Sequence, residues 1–144
     1  MVTVITSVVV SLATTLITLY VFQPIQGQRQ LIGEIDYATR YYRTATTKVR
    51  TWKTPGEREA AKAKAGEATE AILMLSARLG ASPATFPARG KYYRLFEPLV
   101  TSQESVSKAS SELKAWALWI RMGDDGVAQE HRLEVIKALD LPRD

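Results

Sequence analysis

Apolar residues predominate in the first two dozen positions of the chain and then recur with a helical period along the rest of it. Val2 to Phe22 are twenty-one residues without a charge, and twelve of them are Val, Ile, Leu or Phe. At about 1.5 Å per residue, a helix of that length spans about 32 Å, which matches a hydrocarbon core of about 30 Å. We therefore predict a transmembrane anchor over residues 1–23. A cleaved signal peptide is the alternative. It requires a basic n-region and small residues before a cleavage site, and the sequence shows neither.

The charges that flank the anchor predict its orientation. No Lys or Arg precedes the segment, whereas Arg29 and Arg40 follow it. Basic residues near the end of a membrane span favour the cytoplasmic side. We therefore expect the anchor in the inner (cytoplasmic) membrane, with the domain over residues 24–144 in the cytoplasm.

Hydroxyl side chains form a stripe on one side of the predicted anchor helix. On a helical wheel with about 100° per residue, most of them lie within about a third of the circumference. Their small-xxx-small spacing lets two membrane helices approach closely and form hydrogen bonds. The predicted helix contact consists of Ser7, Ser11, Thr14, Thr15 and Thr18. The alternative is that each hydroxyl donates to the carbonyl four residues earlier in its own helix.

A seven-residue apolar repeat follows the anchor. Its positions alternate at spacings of four and three: Leu31, Ile35, Ala38, Tyr42, Ala45, Val49 and Trp52. This spacing is typical of helices that pack in bundles or coiled coils. Pro24, just before the repeat, can either begin a new helix or kink a continuous one.

Capping signals and the same apolar spacing predict three further helices. Thr54 and Glu57 form a capping box around Pro55, and Gly80 marks the predicted end of that helix. A loop rich in proline, with a short helix at "KYYRLF", leads to a second capping box in "TSQE", in which Thr101 is the predicted N-cap.

The last two predicted helices are separated by the sequence "GDDG", which reads as a turn with helix caps. The apolar seam of the first comprises Val106, Ala109, Leu113, Trp116 and Ile120. The second covers residues 127–139, with Leu133, Val135, Ile136 and Leu139 as its predicted core residues. The predicted fold is therefore all-α: one N-terminal transmembrane helix followed by an antiparallel bundle of about four helices.

Three segments carry a resemblance to a known group of proteins: "LIGEIDYATRYY", "LSARLGASPATFPARGKYYRLF" and "TSQESVSKASSELKAWA". Their order resembles an uncharacterised family of short single-pass membrane proteins of bacteria and archaea. That family has an N-terminal anchor, a helical hairpin and a "P-x-YR-L" turn before a capped helix. The resemblance implies the same architecture and adds nothing about catalysis.

The polar residues do not form the pattern of an active site. Cysteine is absent, which excludes disulfides, thiolate metal sites and a cysteine nucleophile. His131, the single histidine, lies beside Glu130 and Arg132 and is predicted to be a solvated surface residue. The span contains no ligand for haem or pigment, and no glycine-rich phosphate loop is present. We therefore expect no enzyme, cofactor, metal or small-molecule substrate.

Basic residues are concentrated between residues 29 and 64, where nine Lys or Arg stand against four Asp or Glu. The predicted basic face comprises Arg40, Arg43, Lys48 and Arg50. A solvated face is the simplest interpretation, and an acidic partner surface or an anionic lipid leaflet are alternatives. Nucleic acid is a weaker option, suggested only by tyrosines that could stack on bases: Tyr41, Tyr42, Tyr92 and Tyr93.

The sequence "AWALWI" is apolar on all sides of its helix, which predicts a partner-docking patch at Leu118 and Trp119. The alternative is that the last helix folds back over this patch.

Together these features predict a non-catalytic single-pass subunit that stabilises or assembles a larger membrane complex, for example a respiratory or photosynthetic one. Its partners would be other membrane subunits and the lipid bilayer. The alternative is a self-associating, membrane-anchored signalling or defence protein in which the repeat from Leu31 to Trp52 pairs between copies.

Overall fold

The computed structural model describes residues 1–43 and 54–143. All regular structure in these two ranges is helical, and they contain no strand. The all-α class is therefore confirmed.

The first helix runs from the anchor into the domain without a break. Helix α1 (Val2–Ile17) passes through a π-helical turn (Thr18–Phe22) into helix α2 (Gln23–Tyr41). Pro24 lies in the first turn of α2, where it lacks an N–H and its ring crowds the carbonyl four residues earlier. The wider π turn directly before it accommodates that ring. Pro24 thus perturbs a continuous helix rather than beginning a new one.

One face of α2 is buried, as the apolar repeat predicts. Leu31, Ile35, Ala38 and Tyr42 are all buried in the main core. The remaining positions of the repeat, Ala45, Val49 and Trp52, lie outside the described residues.

Helix α3 (Pro55–Ala81) begins where the sequence predicts and ends slightly later. Thr54 is its N-cap and Pro55 its first residue, but the Thr54 side chain makes no capping hydrogen bond, so the predicted capping box is wrong. The helix also passes through Gly80, which was predicted to end it. Gly80 instead permits a close helix contact, because a Cβ atom there would lie 3.1 Å from Ser110 Oγ.

A compact connection follows α3, built from two 3₁₀ turns (Ser82–Thr85 and Pro87–Gly90) and the short helix α4 (Tyr93–Phe96). The second turn includes left-handed backbone at Ala88, Arg89 and Gly90. A side chain at Gly90 would lie 2.6 Å from the Pro83 carbonyl oxygen, so only glycine fits there without a shift.

Helices α5 (Gln103–Met122) and α6 (Asp125–Ala138) meet at the predicted turn. Gly123 is left-handed and ends α5, and the Asp124 side chain accepts the Val127 N–H to cap α6. The N-cap of α5 is Ser102, whose side chain accepts the Ser105 N–H. The predicted cap, Thr101, is wrong by one residue because other side chains engage the Thr101 backbone.

Side-chain bonds show that α3 and α5 run antiparallel, as do α5 and α6. Ser76 and Ser110 exchange hydrogen bonds between α3 and α5, and Thr69 reaches Ala117 farther along the same pair. Between α5 and α6, Lys108 pairs with Glu134 at 3.3 Å. Six core residues of α2, α3 and α5 have no exposed surface: Ile35, Ala68, Ile72, Leu79, Leu113 and Trp116.

The inward face of α6 differs from the predicted one. Val135, Ile136 and Leu139 are buried as predicted, but Leu133 is 52% exposed. Arg132 is buried in its place, and Leu133 is turned away because successive residues of a helix are rotated by about 100°.

Candidate functional site

Helix α1 has no covering within the described chain. None of its sixteen residues is buried, and Leu12 in its middle is 59% exposed. The continuous helix that contains it, Val2–Tyr41, is the one helix among the described residues that is long and apolar enough to span a membrane, and an 18-residue stretch within it has a mean hydropathy of 2.1. This unpartnered apolar surface is the main candidate functional feature of the molecule.

The predicted hydroxyl stripe lies on this exposed surface. Thr14, Thr15 and Thr18 donate to the carbonyls of Val10, Ser11 and Thr14, at 2.8–2.9 Å. These threonines therefore form the bonds of the alternative interpretation, although a hydroxyl that donates can still accept a bond from a neighbour.

The two serines of the stripe differ from its threonines. The described structure gives no side-chain hydrogen bond to Ser7 or Ser11, and both residues are exposed. A contact between the stripe and a second helix stays a prediction.

A buried polar network joins α2 to the connection, directly after the anchor. The Gln28 amide donates to Tyr93 Oη at 2.6 Å and to Ser82 Oγ at 3.3 Å, and its oxygen accepts the Thr101 N–H at 3.1 Å. Tyr93 donates to the Thr101 carbonyl. Burial raises the pKa of Tyr93 above its usual value. The network holds residues 82–101, which we name the junction segment, against the start of α2.

An apolar cluster adjoins this network. Ile25, Phe86 and Tyr93 are buried together, and the Phe86 and Tyr93 rings meet edge to face with centroids 4.8 Å apart. Val21, in the last turn of the anchor, and Val100 pack against the same cluster. The junction segment is therefore fixed at the level where the anchor ends.

At the opposite end of the domain, α6 holds the C-terminal end of α2. Arg132 is 5% exposed and donates to the Thr39 carbonyl at 3.1 Å and to the Gln129 side chain at 2.8 Å. Gln129 in turn donates to the Arg43 carbonyl. The bond from Arg132 satisfies a carbonyl group that α2 leaves unpaired at its C-terminus, and the bond from Gln129 engages the turn that follows.

The predicted basic face is only partly described. Arg40 is exposed and pairs with Asp36 at 3.4 Å. Arg43 is exposed, and α6 engages its backbone carbonyl. Lys48 and Arg50 lie outside the described residues.

His131 is not the solvated surface residue that was predicted. Its Nδ1 is bonded to Glu112 of α5, and both side chains are about three-quarters covered, with 27% and 23% exposed. The histidine thus serves as a contact between α5 and α6. The described residues contain no group of three or more side chains that could hold a metal ion.

Most of the apolar "AWALWI" turn is covered. Trp116, Ala117 and Ile120 are buried, and Trp119 is half-buried against the core. Leu118 remains 45% exposed, and Met122, one turn later, is 71% exposed. Helix α6 folds back along α5, as the alternative interpretation predicts. Leu118 is the part of the predicted docking patch that remains exposed.

No protein-family model, curated protein or solved structure matches this chain. The functional assignment therefore depends on the anchor, the junction segment and the helical domain themselves.

Two of the four tyrosines that suggested nucleic-acid binding are buried in the domain, namely Tyr42 and Tyr93. They cannot stack on bases in this arrangement, whereas Tyr41 and Tyr92 are exposed.

Proposed function

We propose that this chain is a non-catalytic, single-pass subunit of the inner membrane that stabilises or assembles a larger membrane protein complex. One observation carries the proposal: α1 is an apolar helix without a single buried residue, and it continues into a helix whose inner face closes the domain core. Such a surface is stable in lipid or against other membrane helices, but not in water.

The helical domain would act outside the bilayer as an antiparallel bundle of α2, α3, α5 and α6. The pairing of α2 with α3 through Glu34 and Arg78, together with the α3–α5 and α5–α6 contacts, supports this arrangement. Because α2 belongs both to the bundle and to the continuous anchor helix, the bundle would hold the anchor at a defined rotation. The basic residues Arg29 and Arg40 support a cytoplasmic position for the bundle.

Self-association is the second candidate function. The four described positions of the apolar repeat are buried within the chain's own core, so pairing between copies that involves the described residues would use a different surface. The α2–α3 groove offers one, since Tyr37 and Met74 at its edges are 63% and 64% exposed.

The two candidates can be separated by cross-linking from the anchor, because the chain contains no cysteine and each introduced cysteine is unique. Ser7→Cys and Ser11→Cys place a thiol-linked photoreactive group on the hydroxyl stripe. Val9→Cys and Leu16→Cys place it on the opposite side of the helix and serve as matched controls.

After illumination of membranes from the native host, we expect adducts with a different membrane protein from the two stripe positions and few from the controls. Adducts at twice the mass of the chain would favour self-association. Only lipid adducts from all four positions would contradict a role for the anchor in assembly.

A further inference from the structure

We infer that the junction segment, residues 82–101, is a second membrane-binding element that lies on the headgroup region of the bilayer and prefers anionic lipids. The inference rests on the proposed function, because it requires α1 to be in that bilayer.

The position of the junction segment relative to the anchor is the first argument. The cluster of Ile25, Phe86 and Tyr93 contacts Val21, which is in the last turn of the apolar span, and the polar network reaches Gln28. From Val21 to Gln28 a helix rises about 10 Å, only a few ångströms more than the roughly 5–8 Å that the headgroup region adds on each side of the hydrocarbon core. With α1 across the membrane, the junction segment cannot be far from the lipid surface.

The apolar side chains that the junction segment leaves exposed are the second argument. Leu95 is 75% exposed, the highest value for a large apolar side chain beyond the anchor in the described ranges. Leu99, four residues later, is 57% exposed, and Tyr92 is 48% exposed. Phe96 and Val100 point the other way, against the buried cluster. This short stretch therefore has an inner side fixed to the domain and an apolar outer side without a partner.

The positive charge of the segment is the third argument, and it favours lipids with anionic headgroups. Arg89, Lys91 and Arg94 are exposed, and none of them has a carboxylate partner within the parts of the chain that are described. Glu97, the single acidic residue of the segment, accepts the Gln103 N–H at the start of α5. Exposed leucines and an aromatic ring flanked by basic residues are the composition of interfacial membrane-binding segments, and basic residues are attracted to anionic headgroups within a Debye length.

The test measures the depth of single labels in the full chain. An environment-sensitive fluorophore is attached to Leu95→Cys or Leu99→Cys, and the protein is reconstituted into phosphatidylcholine–phosphatidylglycerol vesicles with a nitroxide quencher near the lipid headgroups. Leu12→Cys reports on the anchor. Leu118→Cys and Leu133→Cys are exposed controls on α5 and α6. All five sites are exposed, so labelling leaves the core intact.

We expect loss of fluorescence by lipid quenching at positions 95 and 99 but not at 118 and 133. In vesicles of phosphatidylcholine alone, or at high salt, the quenching at 95 and 99 should decrease. The triple variant Arg89→Gln, Lys91→Gln, Arg94→Gln should show the same decrease. A control with equal charge loss, Arg58→Gln, Lys62→Gln, Arg121→Gln, should not.

Three outcomes contradict the inference, and they have different meanings. A lipid-exposed label at position 12 with labels at 95 and 99 in water overturns the inference and leaves the proposed function intact. A label at position 12 in water overturns both. Quenching at 95 and 99 that does not depend on anionic lipid overturns the preference for charge, and places the segment at the interface by its apolar residues alone.

Discussion

Helices α1 and α5 are of similar length, sixteen and twenty residues, but the chain uses them in opposite ways. Helix α5 has an apolar seam between polar faces and buries six residues, so its sequence is explained by its neighbours α3 and α6. Helix α1 is apolar on most of its surface and buries none. The difference shows that the described chain itself packs around α5, whereas no described residue covers α1.

The largest expected effect is on the free energy of unfolding, and it appears when one leucine from each helix is replaced. Leu113 of α5 is fully buried, so Leu113→Ala should lower the free energy of unfolding by about 2–5 kcal/mol through lost contacts and a cavity. Leu12→Ala in α1 should leave it unchanged, because Leu12 is 59% exposed. Denaturant unfolding of the full chain in detergent micelles, followed by tryptophan fluorescence, measures both. Equal losses for the two variants would show that α1 packs on the domain after all.

A smaller effect is expected where the two regions meet. Gln28→Ala removes the amide that bonds Tyr93, Ser82 and the Thr101 N–H, and leaves buried polar groups without partners. We expect a loss of about 1–3 kcal/mol in the same unfolding measurement. Gln26→Ala, at an exposed position of the same helix, is the matched control and should have little effect. If both variants behave alike, the network does not stabilise the junction.

The third expected effect is a loss of folding stability caused by ionisation of Tyr93, and it develops only at alkaline pH. Desolvation by burial, aided more weakly by the charge of Glu97, raises the pKa of Tyr93 above its usual value of 10.0, although the hydrogen bond from Gln28 opposes this. Below pH 10 the phenol is protonated in both the folded and the unfolded chain, so its contribution to stability is fully present. As the pH rises through the pKa of the folded state, that contribution is lost.

The corresponding test is the slope of stability against pH above pH 10, measured by thermal unfolding. Tyr93→Phe should give a shallower decline than the wild type, and the exposed control Tyr92→Phe should decline like the wild type. Burial also raises the pKa of Tyr42, so a residual decline is expected in both variants. An unchanged slope in Tyr93→Phe would indicate that the phenol is not held in a dry site.

The fold was predictable where local spacing alone determines it. The α5 seam of Val106, Leu113 and Trp116 is buried as predicted, because a four–three spacing places these side chains on one face. The features that the sequence did not reveal depend on distant partners. The Thr101 backbone is engaged outside the helix: its N–H donates to Gln28, 73 residues away, and its carbonyl accepts from Tyr93, so the helical bonds begin at the Ser102 carbonyl. Likewise the His131 side chain is about three-quarters covered because α6 lies against α5 at Glu112.

The candidate site likewise has one part that the sequence predicted and one part that it did not reveal. Composition and length were sufficient to predict α1 as a long apolar helix, since its twenty-one uncharged residues match the length of a membrane span. The junction segment was not recognised, because its prolines and short apolar runs resemble an ordinary loop. The alternation of basic and apolar residues in "ARGKYYRLFEPL" was the available signal, but its position beside the anchor emerges only from the contacts of Val21 with the buried cluster.

The central claim is that α1 stays in the membrane as part of the intact chain. Alkaline carbonate extraction of membranes that contain the full-length protein, followed by intact-mass analysis, tests it most directly. We expect the protein in the membrane pellet with the mass of the uncut chain, 16.0 kDa. Recovery of the protein in the supernatant, or of a shorter chain that has lost its apolar N-terminal segment, would contradict the account.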